Sequence, residues 1–133
     1  MKAVEFRLLV IRRAGPERDT VCFALERAGY SVLCAGSVTE ARRVLERFGL
    51  PHVVLLSLQA AELDAAVELC REVHALAGVP VIALADDDAG ERYVWLLDEC
   101  AEDLVAWPVS ADDVVMRVRR ALRRMPDYAY GMR

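Results

Sequence analysis

The residues of this chain that could carry chemistry stand at the ends of apolar runs. Ser57 closes His52-Val53-Val54-Leu55-Leu56, and Arg12 and Arg13 follow Phe6-Arg7-Leu8-Leu9-Val10-Ile11. Four successive apolar residues, two of them β-branched, read as a strand buried on both faces of a parallel sheet. Ligands of such sheets gather beyond the carboxyl ends of the strands. Two guanidiniums at a strand end suit bidentate recognition of a small anion or a nucleotide phosphate. The competing expectation is internal pairing with Asp86, Asp87, Asp88, Glu62 and Asp64, which follow neighbouring strands and should approach the same rim. Ser57 is expected to be a small polar filler. His52 and His74 are isolated, and the chain has no phosphate-cradling glycine loop and no catalytic pair. No catalytic residue is assigned.

The elements that must position these residues alternate strand and helix five times. Pro16 suits the first turn of a helix over Glu17–Ala28, which Gly29 stops. A strand over Tyr30–Ala35 follows, and Ser37-Val38-Thr39-Glu40 has capping-box spacing for a second helix ending at Gly49-Leu50-Pro51. After the Ser57 strand, Glu62–Ala77 reads as a long amphipathic helix. Val81-Ile82-Ala83-Leu84 is the fourth strand and Arg92–Cys100 a short helix. A weaker strand over Asp103–Ala106 precedes a last helix capped by Ser110 and running through Arg124. Short connections of this kind predict a flavodoxin-like (βα)5 doubly wound α/β fold with parallel strands in the order 2-1-3-4-5.

With 133 residues, 56% hydrophobic and 29% charged, the chain makes one domain with a real core. Cys22, Cys34, Cys70 and Cys100 are widely spaced and read as reduced core cysteines of a cytoplasmic protein, without metal or redox role. No signal peptide and no apolar run of membrane-spanning length is present.

Five segments, in order, resemble the receiver domain of bacterial two-component response regulators over Phe6–Met125. They are Leu8-Leu9-Val10-Ile11, Ala28-Gly29-Tyr30-Ser31-Val32, Pro51-His52-Val53-Val54-Leu55-Leu56, Val79-Pro80-Val81-Ile82-Ala83-Leu84 and Ala101-Glu102-Asp103-Leu104-Val105-Ala106-Trp107-Pro108. The resemblance places Ser57 where that family phosphorylates an aspartate, and Arg12 and Arg13 where two acids hold Mg²⁺. Ala85 stands for the Ser/Thr that senses the phosphoryl group, Trp107 for the lysine, and Ala60-Ala61 for a Met-Pro pair. A serine cannot form an acyl phosphate, and guanidiniums repel a cation that wants anionic oxygen ligands. The resemblance therefore implies a pseudo-receiver with no metal and no cofactor. Trp107 is expected to fill the vacated pocket or pack on the surface, with a cis Trp107-Pro108 bond by analogy.

The last helix is acidic at its start (Asp112, Asp113) and basic at its end (Arg117, Arg119, Arg120, Arg123, Arg124), which suits the helix dipole. The transcription-factor branch of the family dimerises through this helix, the fifth strand and the preceding helix. Resemblance to it nominates Arg92, Trp95, Glu102, Asp103, Arg117, Arg120 and Arg124, although Met116 departs from the family's alanine. A net charge of −4 and the lack of a recognition helix argue against direct nucleic-acid binding. The expectation is a non-enzymatic pseudo-receiver over 1–125 with a tail or linker stub at 126–133. It would act as a homodimer or on a partner protein, away from membranes, with an output domain outside this sequence. The alternative is a sensor binding an anion or nucleotide at Arg12/Arg13.

Overall fold

The structure, a computed structural model, describes residues 5–86, 91–107 and 110–124, with the backbone alone at Ala77, Asp86 and Trp107. Its elements are β1 (Arg7–Ile11), α1 (Pro16–Arg27), β2 (Ser31–Ala35), α2 (Val38–Phe48), β3 (Val53–Ser57), α3 (Leu63–Ala77), β4 (Val81–Asp86), α4 (Leu96–Glu99), β5 (Asp103–Trp107) and α5 (Ala111–Arg123). The strands form one parallel sheet in the order β2-β1-β3-β4-β5. This is the flavodoxin-like order expected from the sequence.

Alternation along the strands builds two cores. Leu9, Ile11, Val54, Leu56 and Ala83 face α2, α3 and α4, and pack with Ala41, Leu69, Val73 and Leu96. Leu8, Val10, Val53, Leu55, Ile82 and Leu84 face the other way, toward Val21, Leu25, Val118 and Leu122 of α1 and α5. The β3 run is buried throughout, as both faces are covered. Each fully buried Leu or Val contributes roughly 1.5–3 kcal/mol of transfer free energy, so the central strands anchor the rim beyond them.

Local signals act where the sequence puts them. The Ser37 hydroxyl accepts from the Glu40 backbone N–H (3.1 Å), and the Glu40 carboxylate reaches back to the Gly36 N–H (3.0 Å), one residue beyond the usual capping-box partner. Ser110 caps α5 in the same way at Asp113 (3.1 Å). Gly78 ends α3 in the left-handed conformation at φ 64°, where its N–H returns to the His74 carbonyl. The structure corrects two helix boundaries. Residues 60–62 form a separate 3-10 turn ahead of α3, and Arg92–Cys100 contains only one α-helical turn, Leu96–Glu99. Asp87, Asp88, Pro108 and the 126–133 tail lie outside the described residues.

Candidate functional site

The carboxyl ends of β1 and β3 bring Arg12 and Ser57 together. Both follow strands whose side chains are almost wholly buried, so neither group can swing far from the rim. The Arg12 Nη1 donates to Ser57 Oγ at 3.0 Å, and its Nη2 pairs with the Glu17 carboxylate at 2.5 Å. Arg12 is 14% exposed, whereas Glu17 is 58% exposed. Ser57 is 2% exposed and is the buried polar residue of the core. Its hydroxyl is satisfied by a guanidinium where an unpartnered group would cost about 1–3 kcal/mol. Arg18 adds a second layer, donating to the Arg12 carbonyl at 3.0 Å.

Arg12, Glu17 and Ser57 line an open cleft of about 560 Å³, together with Arg13, Gly15, Pro16, Gln59, Ala60 and Ala61. Arg13 is exposed at its mouth. Arg12 pairs with Glu17, an acid outside the set expected from the sequence; of that set, the Asp86 side chain, Asp87 and Asp88 lie outside the described residues. Glu62 instead accepts from the Val38 backbone N–H (3.2 Å), and Asp64 lines a separate groove with Arg71 and Trp95. Glu17 was missed, yet it stands five residues after Arg12 in the first turn of α1. An acid there suits the helix N-terminus and reaches back over the rim.

Among the described residues the donor set does not fit Mg²⁺. They offer guanidiniums, one neutral hydroxyl and a carboxylate already held by Arg12 at this rim. Among the described residues no group of three His, Cys, Asp or Glu could hold a metal. Ala85 is buried on β4 and pairs in register with Ala106, so it brings no hydroxyl. Trp107 lies in register with Asp86, but its side chain is outside the described residues, as is the Trp107-Pro108 bond.

A second charged site lies along β5 and α5. Arg117 Nη1 donates to both carboxylate oxygens of Asp103 (3.0 and 2.9 Å), and its Nε donates to Asp113 (3.0 Å). Burial opposes the Arg117 charge, but the bonds to Asp113 and Asp103 outweigh it and hold its pKa above the ordinary guanidinium value. Arg124 pairs with Glu102 at 2.9 Å. Four of the nominated residues are thus paired within the chain. Arg92 and Arg120 are exposed. Trp95 has an intrachain contact as well: the Arg71 guanidinium of α3 lies 5.6 Å from its ring centre and also pairs with Glu99 (2.9 Å).

No family model matches the sequence. A receiver domain from Clostridium thermocellum superposes with a TM-score of 0.79 at 25% identity, covering 90% of this chain and 95% of that one. A CheY-like receiver domain protein from Methanospirillum hungatei JF-1 gives 0.76 at 21% identity, covering 88% and 93%. The fold is that of a response-regulator receiver domain. NtrX from Brucella abortus in complex with ADP gives 0.78 at 23% identity; 90% of this chain is covered, but only 26% of that one. Within the receiver fold, the Arg12–Ser57 rim is the end of the sheet at which sequence resemblance placed phosphoryl chemistry. Among the described residues no helix is long and apolar enough to cross a membrane.

Proposed function

We propose that this chain is a phosphorylation-independent receiver module that signals by docking, with a second copy of itself, through α4, β5 and α5, in the control of transcription. The observation that carries the phosphorylation-independent part is the Arg12–Ser57 hydrogen bond. It fills the reaction centre with a cation and a hydroxyl, so neither an acyl phosphate nor a bound Mg²⁺ has a place. Support for the docking face is its charge pattern. Acids (Glu102, Asp103) and bases (Arg117, Arg120, Arg124) share one surface, so a two-fold-related copy can exchange ion-pair partners with it. Val94 just before α4, Leu97 on α4 and Met116 on α5 remain about half exposed (50%, 43% and 50%) and supply apolar area.

A second reading has its own observation. The cleft is lined by two arginines and one exposed carboxylate, an excess of positive charge suited to a small anion or a nucleotide phosphate. One set of measurements separates the readings. Acetyl phosphate with Mg²⁺ should leave the intact mass unchanged, and light scattering at high micromolar concentration should give a dimer that Arg117→Ala dissociates. A phosphoryl mass gain defeats the first reading, and a monomer at every concentration removes the docking face. A rise in melting temperature with inorganic phosphate or a nucleoside diphosphate, lost in Arg13→Ala, would put the second reading in its place.

A further inference from the structure

The four cysteines, scattered in sequence, meet in two pairs. Cys22 on α1 and Cys34 on β2 bring their sulfurs to 3.1 Å, while Cys70 on α3 and Cys100 at the end of α4 share the core on the other face of the sheet. The pairs differ in access. Cys70 and Cys100 are 1% and 4% exposed, while Cys34 is only partly buried and opens with Cys22 onto a surface cavity of about 590 Å³. Asp19, Thr20, Phe23 and Glu26 line the rest of that cavity, enough room for a small oxidant to reach sulfur.

We infer that Cys22 and Cys34 form a reversible dithiol–disulfide switch, oxidised by a hydroperoxide, that staples α1 to the edge strand β2. Their separation is about 1 Å beyond a disulfide's S–S bond, so closure needs side-chain rotation and no rearrangement of the sheet. The roles within the pair are unequal. The two thiols share one hydrogen bond, and with burial this holds the Cys22 thiol well above its usual pKa. The same hydrogen bond, helped by Arg18 and opposed by burial, Glu26 and Asp19, lowers Cys34 to about 7. A substantial fraction of Cys34 is therefore thiolate at neutral pH, and the thiolate is the nucleophile.

The Cys34 thiolate attacks one peroxide oxygen. The S–O bond forms, the O–O bond breaks, and the departing oxygen takes a proton to leave as water or alcohol. The Cys22 sulfur then attacks the Cys34 sulfenic acid. The S–S bond forms, the S–O bond breaks, and hydroxide leaves with the Cys22 proton as water. Two thiols lose two electrons in all, and one peroxide gains them. A thiol reductant reverses the bond by exchange. Apart from Arg18, which also donates to the Arg12 carbonyl, this chemistry uses no residue of the Arg12 rim or the α5 face, so it stands apart from the proposed function.

The test is to treat the folded, reduced protein with hydrogen peroxide at neutral pH. The expected product has lost two hydrogens, contains a Cys22–Cys34 peptide pair, returns to the starting mass with dithiothreitol, and melts on the order of 5–10 °C higher. Cys70 and Cys100 stay reduced until the chain unfolds. Cys22→Ser leaves a sulfenic acid at Cys34 that a dione reagent traps, and Cys34→Ser slows peroxide consumption about tenfold or more. Both thiols still free for alkylation after peroxide treatment, or a bond mapped to another pair, would overturn the inference. The wild-type mapping decides this even if a variant fails to fold.

Discussion

Arginine organises both the Arg12 rim and the α5 face, but to different ends. At the rim, Arg12 is held by a buried hydroxyl and one exposed acid, and Arg13 adds further positive charge beside an open cleft. On the α5 face, Arg117 is held by two half-buried carboxylates, giving a closed network with negative charge to spare. The rim couples a charge to a core hydroxyl, so its hydrogen bonds reach into the sheet. The face stays near solvent, where screening limits what an ion pair contributes. Depth, more than the number of partners, sets how strongly each arginine is tied to the fold.

Three substitutions sharpen that contrast. Arg12→Ala should destabilise most, by about 2 kcal/mol, because the Ser57 hydroxyl, 2% exposed, loses its donor. Urea unfolding would measure it, and a cost below that of the surface arginines would break the argument from depth. Arg117→Ala should cost about 1 kcal/mol at low salt and less as NaCl approaches about 1 M, since its carboxylates are released to water and screened. A cost that ignores salt would place Arg117 with the buried group. Arg124→Ala should change stability by no more than about 0.3 kcal/mol, its side chain being 59% exposed. A larger loss would show that the Glu102 pair belongs to the same cooperative network.

The reading of the fold succeeded where short-range patterns are decisive. The apolar runs of β1 and β3, the Ser37 and Ser110 caps and the Gly49 stop each depend on residues a few positions apart. The helix before β5 was overdrawn because its apolar residues suggested nine helical positions and only Leu96–Glu99 closes as an α-turn. The site was legible in part. Residue types alone argued against an acyl phosphate at Ser57 and against a metal-binding acid pair at Arg12 and Arg13. The pairing scheme was not legible, because several acids follow strands that end on the same side and sequence does not rank their reach. The contact of Trp95 with Arg71 was not legible either, since it joins two elements far apart in sequence.

By itself, the sequence determined the order and type of the strands, the caps that begin and end the helices, and the serine and two arginines at the rim. These follow from side-chain identity and local periodicity. Tertiary structure alone decided that Glu17 holds Arg12, that Arg117 is satisfied within its own chain, and that Cys22 meets Cys34. The physical reason is common to all three. Each contact depends on the angle at which a helix or strand end meets its neighbour, and a packing angle is set by the whole core beneath it.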